Sequence, residues 1–227
     1  LQQPVRAIRD LMISALEENR GISVEFLLGA NTVKAMDLAE KQATSAREKG
    51  ISIITYADSD YPYLLRFIPD APLVLFAQGN LALLQQPSLA IVGTRKPSEL
   101  GKALAQYLGR WLAQNSCTVV SGLAYGIDAS AHSGALQAEA GTIAVLAHGL
   151  DYEYPRAHRH FYEKARRQLQ NVLLLSEHPN GTKPLRHHFP RRNRIIAGLS
   201  HSVVFVEGGA KSGGLITVKH ALDQGKQ

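Results

Sequence analysis

The sequence predicts an α/β fold in which a parallel sheet is covered by helices on both faces, behind a small all-helical region. Three observations carry this prediction. From Ser88 onward, short apolar strands alternate with helical segments, which is the order that builds a parallel sheet. The strands are apolar throughout, as expected when helices cover both faces. The 227 residues, 45% of them hydrophobic, suffice for one large domain and a small second one.

The first 50 residues are predicted to be helical. Apolar residues recur at three- and four-residue steps, which is typical of one helix face; they are Val5, Ile8, Leu11, Met12 and Leu16. Gly21 ends this helix, and short helical segments follow at 24–28, 32–38 and 39–49. We interpret residues 1–50 as a small helical domain, or as a docking and oligomerisation module.

Residues 51–87 are predicted to be lead-in strands and a connector. Strands are expected at 51–55 and 73–76. The prolines of Tyr61-Pro62 and Ala71-Pro72 set boundaries, because proline cannot donate a hydrogen bond to a sheet.

Residues 88–227 are predicted to form the core of the sheet. Strands are expected at 89–92, 118–121, 142–146, 172–175 and 202–206. Helices are expected at 99–114, 127–139, 156–169 and 192–199, and a last one begins near Gly214.

The composition limits the class of protein. The formal net charge is +6, which favours a phosphate-rich partner or an anionic surface. The single cysteine, Cys117, lies in an apolar run and excludes a disulfide framework within the chain. Neither a signal peptide nor an apolar run of about eighteen residues is present. We therefore expect a soluble, cytoplasmic protein with no membrane partner.

The stretch 89–101 predicts an anion site. A buried strand stops at Gly93, a basic turn with Arg95 and Lys96 follows, and a helix begins near Ser98. Glycine lets the backbone approach a ligand, and the first N–H groups of a helix point toward it. The turn lacks the usual dinucleotide and P-loop patterns, so those interpretations lose their main support. A plain turn with exposed basic residues is the alternative.

Ligands of parallel sheets bind outside the carboxyl ends of the strands. This rule gathers four stretches onto one rim: 93–98, 121–128, 176–194 and 207–214. Basic charge is concentrated nearby, because residues 156–194 contain ten Lys or Arg and only two acidic residues.

An aromatic side chain lies among arginines within residues 186–194. Arginine pairs with phosphate and Phe189 offers a face to a base, a combination that suits a single strand. Two alternatives stay open. One is a solvated arginine face with a buried Phe189, and the other is a structural role in which Arg192 or Arg194 pairs with Glu177 or Glu207.

From about Ile51 to its end, the chain resembles the family of the DNA-processing protein DprA, also called Smf. The matching motifs are Tyr61-Pro62 with Leu64 and Leu65; residues 91–95 with Ser98 and Gly101; residues 121–124 with 126–128, Ala131 and His132; residues 142–146 with Tyr154-Pro155; Ser176-Glu177; residues 189–200; and residues 212–217. In this order and spacing the motifs are highly specific.

The resemblance implies an extended Rossmann-like fold without nucleotide chemistry, behind a variable, SAM-like helical N-terminal domain. It implies a protein that is not an enzyme and needs no cofactor. Such a protein binds and protects incoming single-stranded DNA in natural transformation and recombination, loads RecA onto it, and forms a homodimer. It also implies that the chain is truncated, because the family's further strand and the winged-helix domain of many members are missing.

The nucleic-acid-binding residues follow from the motif match and the predicted rim. Arg95 belongs to the basic turn that meets phosphate, and Arg186 and Phe189 match the basic and aromatic positions of the family's DNA pocket. Residues 192–194 match the signature run. The full predicted set is Gly93, Arg95, Ser98, Ser121, Gly122, Lys183, Arg186, Phe189, Arg191, Arg192, Asn193, Arg194 and Lys211.

Other chemistry is less well supported. No histidine spacing matches a zinc site. Asp128 and His132 share a helix face, but a local hydrogen bond of a helix-start carboxylate is favoured over an acid–base pair. The main rival is a nucleotide-processing hydrolase of the phosphoribohydrolase type, with Glu207 as its carboxylate; the family resemblance instead makes Glu207 structural, as a partner of an arginine. A third possibility is a protein-interaction adaptor that uses the helices of residues 1–50 or 99–114.

Overall fold

The computed structural model describes residues 30–138, 140–167 and 171–226. The helical segments predicted before Ala30 lie outside these residues. The described part begins with one continuous helix, α1, Ala30–Glu48. The sequence analysis divided this stretch at residue 38, which is wrong because no glycine or proline interrupts the helix there. The division into domains at residues 50 and 87 stays a prediction.

Seven strands among the described residues form one mixed sheet, in the order β1-β2-β6-β5-β4-β3-β7. They are β1 Ser52–Thr55, β2 Val74–Gly79, β3 Ser88–Val92, β4 Thr118–Ser121, β5 Thr142–Leu146, β6 Val172–Ser176 and β7 Ser202–Phe205. The strands from β6 to β7 in this order are parallel. The lead-in strands instead add an antiparallel edge, with β1 on β2 and β2 on β6. No crossover helix joins β1 to β2, so the chain returns antiparallel.

Helices pack on both faces of the sheet, as predicted. They are α2 Glu99–Gln114, α3 Ile127–Gln137, α4 Arg159–Arg166, α5 His188–Leu199 and α6 Gly213–Asp223. Side chains of a central strand alternate between two cores: in β5, Val145 packs in the core that α5 closes and Leu146 packs in the core that α4 closes. The α/β fold is thereby confirmed. No helix in the described ranges is long and apolar enough to cross a membrane.

Helix α5 begins four residues before its predicted start at Arg192. Pro190 lies in its first turn, where a missing backbone N–H costs nothing. The earlier start places Phe189 on the helix rather than in the loop before it. Helix α4 follows a short 3-10 turn, Arg156–His158. The predicted ends of α3 and α4, at Glu139 and Leu169, lie outside the described residues.

The predicted rim is held together by backbone hydrogen bonds between its turns. Thr94 donates its N–H to the Glu207 carbonyl at 2.7 Å, and Ile127 donates to the Thr94 carbonyl at 3.2 Å. A Cβ atom at Gly93 would lie 2.6 Å from Ile127 Cγ1 and 2.7 Å from the Glu207 carbonyl oxygen. The packing of these turns therefore requires Gly93, and its contact with a ligand stays a prediction.

Candidate nucleic-acid interface

A small cleft opens at the carboxyl ends of β4 and β5, beside the first turn of α5. Its lining residues are Arg95, Gly122, Leu123, Ala124, Tyr125, Leu146, Ala147, His148, Tyr154, Pro155, Phe189 and Arg192. Three of the four stretches predicted at the rim therefore meet here. The fourth, 207–214, contributes no lining residue.

A cation and several aromatic rings meet at the cleft. The guanidinium carbon of Arg95 lies 5.5 Å from the centre of the Phe189 ring. The ring of Tyr154 approaches Phe189 edge-on, with 5.8 Å between ring centres. Arg95 is exposed and Phe189 is half-buried. This arrangement can hold a phosphate at the guanidinium and a base against a ring face.

Arg192 forms the floor of the cleft and is only 3% exposed. Its Nη1 donates to the Gly122 carbonyl at 2.9 Å and also to the Val145 carbonyl. A Cβ atom at Gly122 would lie 2.5 Å from Arg192 Nη2, so glycine permits this contact. Burial lowers the pKa of Arg192 to about 10, against the opposing charge of Asp128. Arg192 therefore stays charged at neutral pH and ties the loop after β4 to β5.

Asp128 fixes the same loop from the other side. Its Oδ2 accepts from the Gly122 N–H at 3.1 Å and the Ala124 N–H at 3.4 Å. Burial raises the pKa of Asp128, while the Arg192 charge and these N–H groups oppose the rise. His132 instead lies 2.7 Å, Nδ1 to Oγ1, from Thr142. The favoured local role of Asp128 agrees with this geometry, and the acid–base pair finds no support in it.

Arg194 lies in an internal ion pair rather than at the cleft. Its Nη1 and Nη2 donate to the two Glu177 carboxylate oxygens at 2.7 and 2.6 Å. Its Nε lies 2.8 Å from Asp70 Oδ2. One of the alternatives from the sequence, Arg194 paired with Glu177, is therefore the observed one. With its guanidinium occupied and 4% of the residue exposed, Arg194 joins α5 to the connector and the end of β6.

Glu207 holds Ser98, the N-cap residue of helix α2. Its carboxylate accepts from the Ser98 N–H at 2.9 Å and from the Ser98 hydroxyl at 2.7 Å. The Ser98 Oγ in turn accepts from the Gly101 N–H at 3.0 Å. These Ser98 bonds lower the pKa of Glu207. The structural role expected for Glu207 is thus present, but its partner is a serine at a helix start rather than an arginine.

Replacing Ser98 by alanine is expected to lower the free energy of unfolding by about 1 kcal/mol, because α2 loses its N-cap. Chemical denaturation measures this change. The matched control is Ser59→Ala, at an exposed serine of the connector, which should unfold like the wild type. Equal stability of the two variants would contradict the capping role.

Two further residues of the predicted set are buried and bonded within the chain. The Ser121 hydroxyl donates to the Ile91 carbonyl at 2.6 Å, and Asn193 Nδ2 donates to the Gly213 carbonyl at 3.2 Å. Five cations of the set are exposed: Arg95, Lys183, Arg186, Arg191 and Lys211. The geometry therefore divides the predicted residues into an exposed cationic group and an internal scaffold.

Sequence reasoning missed three side chains that line the cleft: Tyr125, Tyr154 and His148. Tyr125 and Tyr154 are 48% and 41% exposed, which is unusual for large aromatic residues beside a core. Tyr125 lies in the predicted rim stretch 121–128, and Tyr154 lies in the Tyr154-Pro155 motif of the family. Their position after parallel strands was the available signal.

Within the described ranges, no group of three or more His, Cys, Asp or Glu side chains could hold a metal ion.

Comparisons of sequence support the resemblance. Residues 52–227 match the sequence model of the family described as DNA recombination-mediator protein A. The DNA processing protein DprA of Bacillus subtilis is 43% identical over 182 residues, which cover 80% of this chain and 60% of that protein. Protein Smf of Escherichia coli is 44% identical over 172 residues, which cover 75% of this chain and 46% of that protein. The chain thus spans about half the length of these two relatives.

Two solved structures share the fold. The X-ray structure of DprA from Streptococcus pneumoniae matches 98% of this chain and 80% of that one, with a TM-score of 0.77 and 33% identity. DNA processing protein A from Helicobacter pylori, whose structure concerns a single-stranded DNA binding mode, matches 78% of each chain, with a TM-score of 0.68 and 31% identity. The extended Rossmann-like fold implied by the sequence is confirmed.

Proposed function

The chain belongs to the DNA recombination-mediator protein A family, and on this premise we propose that it binds single-stranded DNA in the cleft. The observation that carries the proposal is the Arg95 guanidinium over the half-buried ring of Phe189. A duplex keeps its bases paired and stacked, so only a strand with free bases can use such a ring. The structure of the Helicobacter pylori relative with its single-stranded DNA binding mode supports this reading.

The proposal assigns the predicted residues to two tasks. Arg95, together with the exposed cations Lys183, Arg186, Arg191 and Lys211, contacts phosphates, and Phe189 stacks on a base. The buried members Ser121, Asn193 and Arg194 are bonded within the chain and position the loops around the strand. Arg192 belongs to this second group because its Nη1 is bonded to two carbonyls.

We extend the proposal to the whole protein. It protects incoming DNA, loads RecA onto it in natural transformation and recombination, acts as a homodimer in the cytoplasm, and is not an enzyme. The names of the relatives, DNA processing protein DprA and protein Smf, support the DNA-processing part. The role of Glu207 at the start of α2 supports the non-enzymatic part, since its carboxylate already accepts two hydrogen bonds from the N-cap residue Ser98.

Fluorescence anisotropy with labelled oligo-dT and a matched duplex, across a salt series, tests the binding proposal. We expect the single strand to bind more tightly, with an affinity that falls as salt rises. Arg95→Ala or Arg186→Ala should weaken binding and flatten the slope of log affinity against log salt by about 0.7 for each lost phosphate contact. The control Arg110→Ala, at an exposed arginine of α2, should leave the slope unchanged. Equal or absent binding of the two DNAs by the wild type would refute the proposal.

Incubation with purine nucleoside monophosphates distinguishes the rival hydrolase. The proposal predicts that the wild type releases no free base. Release that is abolished in Glu207→Gln, while the variant keeps its fold by circular dichroism, would establish the enzyme instead.

A further inference from the structure

Three histidine rings pack against one another at the start of α5, outside the lining of the cleft. The rings of His178 and His188 are stacked, with centres 4.3 Å apart and planes 28° from parallel. The ring of His187 meets His188 edge-on, with 4.4 Å between centres. We call His178, His187 and His188 the imidazole cluster. The function proposed above gives these rings no role.

The imidazole cluster borders the cleft directly. His188 Nδ1 lies 3.2 Å from the carbonyl oxygen of Ala147, and Ala147 lines the cleft. A carbonyl oxygen accepts only from an N–H, so Nδ1 of His188 carries a hydrogen and Nε2 is the nitrogen that Ala147 does not engage. Phe189 follows His188 in the chain, and Arg186 precedes His187. The imidazole cluster is therefore next in the chain to Arg186 and Phe189, which the proposed function assigns to a phosphate and a base.

The surroundings of the inner ring, His178, disfavour its positive form. His178 is half-buried, and its Nε2 is a buried atom without a hydrogen-bond partner. Burial lowers the pKa of His178, helped by His188, His148 and Arg191, while Glu177 opposes them. The Glu177 carboxylate is itself held by Arg194. His178 thus lies stacked under His188 with its own positive form disfavoured.

We propose that His187 and His188, supported by His178, form a phosphate-binding subsite whose affinity for single-stranded DNA rises as the pH falls. This inference rests on the proposed function. An imidazole ordinarily changes charge at about pH 6.5, and a phosphate bound beside it favours the protonated, positive form. By linkage, DNA that prefers the protonated protein binds more tightly at low pH and more weakly at high pH.

The test is an anisotropy titration of labelled oligo-dT at pH 5.5, 6.5 and 8, each across a salt series. Oligo-dT is chosen because thymine does not ionise in this range, so that the dependence on pH reports the protein. We expect wild-type affinity at a fixed salt concentration to rise about threefold to tenfold between pH 8 and pH 5.5, because DNA binding then favours proton uptake by the protein. The salt slope should steepen by about 0.7 for the added phosphate contact.

Variants separate the cluster from the other histidines. The double variant His187→Gln/His188→Gln should lose the pH dependence. His187→Lys, at an exposed position, should bind tightly at every pH because its charge is permanent. The control His201→Gln lies immediately before the edge strand β7, outside the lining of the cleft, and should behave like the wild type.

The outcomes are distinct. Wild-type affinity that is the same at pH 5.5 and pH 8, or a pH dependence that survives in the double variant, would overturn this inference and leave the proposed function intact. If the wild type bound oligo-dT at none of the three pH values, the proposed function itself would be overturned.

Discussion

Arg194→Met is expected to lower the free energy of unfolding by about 3–5 kcal/mol, the usual cost of removing one partner of a buried ion pair. Arg194 is buried and donates to both carboxylate oxygens of Glu177. Without it, Glu177 is left half-buried without its cation. Since small proteins are stable by only about 5–15 kcal/mol, the loss is large. Chemical denaturation followed by circular dichroism measures it.

The pKa of Glu177 predicts how the effect of Arg194→Met on stability depends on pH. Burial opposes ionisation of Glu177, but the Arg194 hydrogen bonds and charge outweigh it and hold the pKa of Glu177 below its ordinary value of 4.5. The ion pair therefore stabilises the fold fully above the ordinary pKa of 4.5. This stabilisation is lost as the pH falls through the lower pKa that Glu177 has in the folded protein. The gap between wild type and Arg194→Met should narrow in acid.

Two variants serve as controls for Arg194→Met. Arg186→Met removes an exposed arginine of the same segment and should leave stability within about 0.5 kcal/mol of the wild type. The double variant Arg194→Met/Glu177→Gln removes the stranded charge and should recover part of the loss. If Arg194→Met were as stable as Arg186→Met, the ion pair between Arg194 and Glu177 would not contribute to the free energy of unfolding, and the prediction would be wrong.

Phe189→Ala is expected to weaken the binding of oligo-dT by about 1–3 kcal/mol, the value of one stacked base. This corresponds to roughly fivefold to 150-fold in the dissociation constant. The salt slope should not change, because no charge is removed. Arg95→Ala should also weaken binding, but it should flatten the salt slope because a phosphate contact is lost. Anisotropy titration of both variants at several salt concentrations distinguishes the two contributions.

Phe67→Ala is the matched control for Phe189→Ala. Phe67 is 68% exposed and lies on the 3-10 helix of the connector, outside the lining of the cleft. Its loss should leave affinity unchanged, and Phe189→Trp should keep most of it by preserving a stacking face. If Phe189→Ala bound like the wild type, the base would not stack in the cleft.

Much of the fold was predictable because its signals are local. The bounds of α2, β4 and β5 agree with the sequence analysis, since each is a uniform segment between turn residues. Three of the four stretches predicted at the rim meet at the cleft, because their placement depends only on the direction of the parallel strands. The antiparallel edge was missed because an apolar strand carries no mark of its direction, which depends on the connection before it.

The different roles of neighbouring arginines could not be predicted from the sequence. Arg191 is exposed, whereas Arg192 and Arg194 are buried, yet the three lie within one turn of α5. Successive residues on a helix point in different directions, and the partners that fix each role are distant in the chain. Glu177 holds Arg194 across 17 positions, and Gly122 holds Arg192 across 70. A run of like residues predicts that charge is present but not which member faces a ligand.

Photocrosslinking tests the central claim, that a single strand lies in the cleft with a base against Phe189, most directly. An oligo-dT in which one thymine is replaced by 5-iodouracil is bound to the wild-type protein and irradiated, and the modified peptides are mapped by mass spectrometry. Our account predicts crosslinks at Phe189 and at the neighbouring rings Tyr154 and Tyr125, all suppressed by excess unlabelled single strand. Crosslinks confined to the exposed rings of the connector, Tyr63 and Phe67, would contradict it.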